Sequence, residues 1–114
     1  MDGGYRVDWY DEKVEKWVND IKEGGWRRAI YRLLTEVLPR EDLWRYRRDR
    51  PKQIKHLGGA LWEIKVARYR LLFCVDDEAR RIAVVYGYVK KGRRLPVDVM
   101  QTARKRCERW VRRS

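Results

Sequence analysis

The segment Leu61–Lys91, LWEIKVARYRLLFCVDDEARRIAVVYGYVKK, decides the fold. Three short apolar runs are separated by two polar breaks, and basic residues gather at the run ends. In Leu61–Val66, alternation points Trp62, Ile64 and Val66 one way and Glu63 and Lys65 the other. In Tyr69–Val75, the set Tyr69, Leu71, Phe73 and Val75 opposes Arg70, Leu72 and Cys74. Asp76-Asp77-Glu78 is turn chemistry. Ile82–Val89 is almost continuously apolar, as suits a central strand covered in part on both faces. The segment therefore predicts a three-stranded antiparallel meander. If Lys65 and Arg70 share its polar face, that face is a candidate site, closed at one end by Lys90-Lys91 and backed by helices.

Helices flank the meander. Upstream, Tyr5–Trp9 alternates like a first strand, and Asp11 offers an N-cap before Val14, Trp17, Val18 and Ile21 at helical spacing. Gly24-Gly25 is expected to end that helix. Trp26, Ala29, Ile30, Leu33, Leu34, Val37 and Leu38 then define a second helix running to Pro39. Residues 39–55 read as a charged loop with one helical turn at Glu41–Tyr46. Downstream, Pro96 opens a last helix with Asp98 in its first turn and an apolar stripe from Val99 to Val111. The predicted order is β-α-α-β-β-β-α. The fold class is α+β: a small, mostly meander antiparallel sheet with a helical hairpin on one face and a C-terminal helix. Trp9, Trp17, Trp26, Trp62 and Trp110 are expected in the core, and Trp44 is left for exposure.

The chain of 114 residues makes one domain, 1–114. It has no apolar run long enough for a membrane span and no signal-like start. Cys74 and Cys107 lack metal-site spacing and read as reduced, buried thiols of a cytoplasmic protein. The net charge of +12 points to a polyanionic partner, with nucleic acid the default. That charge is segregated: residues 1–25 carry four basic against seven acidic side chains, and residues 90–114 carry ten against two.

Cleaving RNA through its 2′-hydroxyl needs a base, a cation for the phosphorane and an acid for the leaving oxygen. Metal-type carboxylate spacing is missing, so no cofactor is expected. His56 is the sole histidine, which excludes a two-histidine nuclease. The remaining candidates are Lys65, Arg70, Lys90 and Lys91, with Tyr88 as an acid or a stacking group. Arg70 presents a planar fork suited to phosphate. Proton transfer is left open among Lys65, Lys90 and Lys91, since crowding by cations lowers a lysine's pKa. Arg68, Arg93, Arg94, Arg47, Arg48, Lys55 and Trp44 are candidate RNA contacts, because arginine interleaved with aromatic rings binds phosphates and stacks on bases.

LGGALWEIKV (57–66), RYRLLF (68–73), the strand ending YGYVKK (86–91) and the proline-led helix carrying Ala103, Arg104 and Arg106 resemble the RelE/ParE toxin superfamily, and most of all its phage-derived HigB-like branch. Lys65 stands where that branch has an arginine, Tyr86 where it often has histidine and Tyr88 where it often has phenylalanine. The resemblance implies a RelE-like fold and a type II toxin that cleaves mRNA on the ribosome. It also implies an antitoxin partner, often of the helix-turn-helix XRE or HigA-like type. Two alternatives stand beside it: a ParE-like poison of DNA gyrase on the same fold, against which the Lys65, Arg70, Lys90 and Lys91 cluster argues, and a basic module that binds RNA or a partner without catalysis.

Overall fold

A computed structural model describes residues 4–40 and 42–113. Its elements are β1 (Arg6–Trp9), α1 (Glu12–Asn19), α2 (Gly24–Arg32), α3 (Leu43–Asp49), β2 (Ile54–Gly58), β3 (Leu61–Val66), β4 (Tyr69–Asp76), β5 (Arg81–Val89) and α4 (Val97–Arg113). A π-helical turn, Leu33–Val37, continues α2. The strands form one sheet in the order β1-β5-β4-β3-β2.

The expected meander is the centre of this sheet, with antiparallel β3–β4 and β4–β5 pairs. The sheet as a whole is mixed, because β1 lies parallel to β5. Strand β2, inside a stretch read as connector, pairs antiparallel with β3. It is a short edge strand with a register shift between His56 and Gly58, and it buries only Ile54 fully, so its alternation is faint. Gly58 and Gly59 turn the chain into β3 at φ +106° and +57°, a region that glycine enters without steric cost.

Two helices follow their caps rather than their glycines. Asp11 caps α1 by accepting the Val14 amide at 3.0 Å. That helix stops at Asn19, and Gly24-Gly25 open α2 instead of ending α1. Asp42 caps α3 through the amides of Trp44 and Arg45. Of the expected turn at Glu41–Tyr46, Glu41 lies outside the described residues and the remainder falls in α3 and its cap.

Each face of the sheet is packed. Trp62, Ile64, Tyr69, Leu71, Phe73, Ile82 and Val84 meet Val14, Val18, Ile30 and Leu34 of α1 and the α2 segment. Leu61, Leu72, Cys74, Ala83 and Val85 meet Val99, Ala103, Cys107 and Trp110 of α4. Complete burial of a side chain such as Phe73 contributes on the order of 2–3 kcal/mol. Trp62 and Trp110 are core residues as expected, whereas Trp9 and Trp17 are half-buried and Trp26 is 44% exposed. Gly87 of β5 lies directly beneath the Trp17 ring, where any Cβ would come within 2.3 Å of it.

The cysteines correct a further expectation. Cys74 of β4 and Cys107 of α4 form a disulfide, with Cα atoms 5.5 Å apart. The α4 stripe places Cys107 over the sheet position that β4 assigns to Cys74. None of the described helices is long and apolar enough to cross a membrane.

Candidate functional site

Sheet register builds the site. Lys65 is directly opposite Arg70, and Arg70 is directly opposite Tyr88. These three residues form a row across β3, β4 and β5 on one face, because laterally paired residues project to the same side. It is the face that carries α4, so the helical hairpin backs the site while α4 shares its surface. Helix α4 covers Leu72 and Cys74, and beyond them the Arg70 end of the face forms a small cleft.

A backbone irregularity places Tyr88 there. Leu72 pairs with Tyr86, but Phe73 pairs with Val84, so Val85 is an extra residue in β5. Strict alternation from Ile82 and Val84 would put Tyr86 and Tyr88 beneath the helical hairpin. The bulge inverts the parity, and both tyrosines pack on the α4 side. Arg106 of α4 donates to the Val85 carbonyl at 2.7 Å, satisfying an acceptor at the bulge.

The Arg70 end is a cleft of about 80 Å³ lined by Lys55, Glu63, Lys65, Arg70, Tyr88, Lys90, Arg93 and the flanking Leu57 and Leu95. Five of its side chains are cations. Its single carboxylate, Glu63, is only 6% exposed. The Tyr88 hydroxyl donates to Glu63 Oε2 at 2.8 Å. Burial and this carboxylate raise the Tyr88 pKa well above that of a free phenol, against a smaller opposing pull from Arg70. Arg70 is 8% exposed. Its Nη1 donates to the carbonyls of Ala67 at 2.6 Å and Tyr69 at 3.0 Å, which fixes the plane of the guanidinium. Ala67, at φ +52°, turns its carbonyl into this position.

The expected site residues thus divide. Lys65, Arg70, Tyr88, Lys90, Arg93 and Lys55 converge on the cleft. Lys91 and Arg94 are exposed on the linker to α4 and do not line it. Arg68 turns toward the opposite face, where it pairs with Glu23 and lies over the Tyr69 ring. Tyr69 packs inward against Trp17, as its parity indicated. Its hydroxyl and Arg68 both hold Glu23, and these contacts, the Tyr69 hydrogen bond first, lower the Glu23 pKa. Trp44 is 52% exposed, yet it meets His56 and Trp62 on the helical-hairpin face, with Arg47 over its ring and Arg48 beside Asp49. Alternation in the sequence places Glu63 on the polar face without marking it as a site residue. Its position in the strand already put it beside Lys65, two residues away. Among the described residues, no group of three or more His, Cys, Asp or Glu side chains is placed to hold a metal ion.

The fold is shared with solved structures. The RelBE2 toxin–antitoxin complex of Mycobacterium tuberculosis contains a chain of TM-score 0.57 and 18% identity, with 76% of this chain and 92% of that one covered. The archaeal RelE–RelB complex of Pyrococcus horikoshii OT3 gives TM-score 0.53 and 21% identity over 75% and 94%. At these identities the likeness is one of fold, and that fold is RelE-like. Residues 27–108 match the model of the family described as Phage derived protein Gp49-like (DUF891). The chain belongs to that phage-derived Gp49-like family. No individually curated sequence matches it.

Proposed function

We propose that this protein is a toxin of a type II toxin–antitoxin pair, acting as a ribosome-dependent, metal-independent endoribonuclease on mRNA. The observation that carries this reading is the Lys65–Arg70–Tyr88 row, with Glu63 bound to Tyr88, at the cleft end of the α4 face. The two solved chains described above come from toxin–antitoxin complexes, which favours a neutralising antitoxin as a partner; a helix-turn-helix protein fits the branch resemblance.

The cleft supplies the groups that 2′-hydroxyl chemistry requires. The scissile phosphate sits against the Arg70 fork, with Lys55, Lys90 and Arg93 adding positive charge. The Glu63 carboxylate, oriented by Tyr88, takes the 2′-hydroxyl proton as that oxygen attacks phosphorus. The bond from phosphorus to the 5′-oxygen breaks, and the Lys65 ammonium protonates the leaving oxygen. The products are a 2′,3′-cyclic phosphate and a 5′-hydroxyl. Each proton transfer contributes roughly 10²–10⁴-fold. Tyr88, which holds its proton tightly, positions Glu63 rather than losing the proton. Lys91 and Arg94 belong to the approach surface, as do Arg47, Arg48, Arg68 and Trp44, which face ribosomal RNA beyond the cleft.

Mapping mRNA 5′ ends in cells making the wild-type chain or Arg70→Ala tests the proposal. New 5′-hydroxyl ends within translated frames are expected for the wild type alone. Intact mRNA with accumulating gyrase-linked DNA breaks would replace this reading with a gyrase poison. Intact mRNA without toxicity would replace it with a non-catalytic binding module.

A further inference from the structure

A second groove adjoins the cleft. It has a volume of about 610 Å³, within the ~300–1,000 Å³ range of ligand clefts. It runs between α2, α3 and the end of β3. Trp26, Arg28 and Arg32 come from α2, Arg50 from the C-cap of α3 and Lys65 from the sheet, over an apolar floor at Leu33. Among the described residues, four cations line it and no carboxylate does. Arg32 has one acidic neighbour, Glu36, held by an exposed contact outside the lining. Trp26 exposes 44% of its surface beside these guanidinium groups, although the strongest helical periodicity in the chain begins at this residue.

Lys65 lines both the groove and the catalytic cleft. The edge strand explains how. Ile54, the first residue of β2, pairs with Ile64, so β2 does not flank Lys65. Only the Gln53 carbonyl reaches the Lys65 amide, at 2.8 Å. Lys65 therefore stands at an open corner of the sheet, accessible from both faces.

We propose that this groove binds the single-stranded RNA flanking the scissile phosphate. The strand turns around the sheet corner at Lys65, Trp26 stacks on one base, and Arg28, Arg32 and Arg50 hold the adjoining phosphates. An exposed indole among guanidinium groups is the arrangement that takes unpaired bases without sequence-specific hydrogen bonds. Continuity with the cleft favours a strand passing through both sites over an acidic protein segment seated in the groove alone. The inference rests on the endoribonuclease reading for the strand's path, and its binding test is independent of cleavage.

The test uses the full chain and fluorescent 2′-O-methyl RNA, which cannot be cleaved, of about 12 and about 4 nucleotides. Fluorescence anisotropy is read for the wild type, Trp26→Ala, Trp26→Phe and Arg28→Glu/Arg32→Glu. Trp26→Ala and the double charge reversal are expected to weaken binding of the longer RNA about tenfold or more and leave the shorter nearly unchanged. Trp26→Phe, which retains a stacking ring, should stay close to wild type. The altered positions are exposed, and circular dichroism of each variant is to be recorded alongside as the check on folding. Unchanged affinity for the longer RNA in both variants overturns the proposal. So do equal losses for the two lengths, or a loss seen only with an acidic peptide as the probe. If the wild type makes no cuts in mRNA, the cleavage reading fails by itself and the length-dependent binding contrast still decides the groove.

Discussion

Tyr88 and Glu63 lie on strands separated by β4, and the Tyr88 hydroxyl crosses that strand to donate to the buried Glu63 carboxylate at 2.8 Å. The two residues act as a unit with unequal parts. On the proposed mechanism, Glu63→Gln removes the proton acceptor and should lower single-turnover cleavage of ribosome-bound mRNA by roughly 10²–10⁴-fold. Tyr88→Phe leaves the carboxylate in place and less firmly oriented, so its loss should be near tenfold. If Tyr88→Phe costs as much as Glu63→Gln, Tyr88 itself moves the proton.

Arg70 should not tolerate lysine. Arg70→Lys keeps the charge and loses both the planar fork and the hydrogen bonds to the Ala67 and Tyr69 carbonyls. Cleavage should fall by roughly 10²–10³-fold. Arg70→Ala should also destabilise the fold by about 1–3 kcal/mol, since it leaves these carbonyls short of a partner. Urea unfolding of the variants separates the structural loss from the catalytic one.

Stability should decline on the alkaline side. Burial, then the hydrogen bond to Asp77, raises the Tyr5 pKa to about 12, and Tyr88 shifts in the same direction. A proton held more tightly in the folded state favours folding fully below the ordinary phenol pKa, about 10. That contribution is lost as pH rises through the folded-state value. Urea midpoints should therefore not respond to these two groups between pH 7 and 9 and should drop between pH 10 and 12. Tyr5→Phe should show a shallower drop, and an unchanged slope would remove Tyr5 from the account.

Reduction should loosen α4. The Cys74–Cys107 bond closes a loop of 33 residues' separation. Chain entropy gives such a crosslink about 3–4 kcal/mol, or about 10–15 °C in melting temperature for a domain of this size. Thermal melts with and without a thiol reductant measure it. A Cys74→Ala/Cys107→Ala variant should melt near the reduced wild type and be indifferent to reductant.

Gly87 should be irreplaceable while Trp17 is present. A Cβ at that position overlaps the indole, so Gly87→Ala should cost about 1–3 kcal/mol through overpacking. In a Trp17→Ala background the same change should be nearly neutral, and a double-mutant cycle reads the coupling. Additive losses would mean that the glycine serves backbone conformation instead.

What sequence alone could deliver depended on where alternation survives. Lys65 and Arg70 were assignable to one polar face because β3 and β4 alternate without interruption, and their pairing confirms that shared face. The side occupied by Tyr88 was not assignable, because one extra residue at Val85 inverts everything beyond it while the run of Val, Val, Tyr, Gly and Tyr stays uniformly apolar. Strand β2 shows one fully buried position, and an edge strand needs no more. Glu63 was not legible as a buried group, because its partner Tyr88 comes from β5, beyond β4, and alternation within β3 does not reveal that contact. The cysteine pairing depended on how α4 crosses β4, which spacing in sequence does not encode.

The parallel pairing of β1 with β5 also has a consequence for the order of assembly. Arg6–Trp9 is made well before its sheet partner, Arg81–Val84, with α1, α2, α3 and three strands synthesised in between. Contacts this far apart in sequence form late and keep apolar surface waiting. Lys90 and Arg93, which complete the cleft, follow later still. A nascent chain therefore has neither the five-stranded sheet nor the finished cleft until β5 and Arg93 have been made, and every shorter chain lacks the complete site.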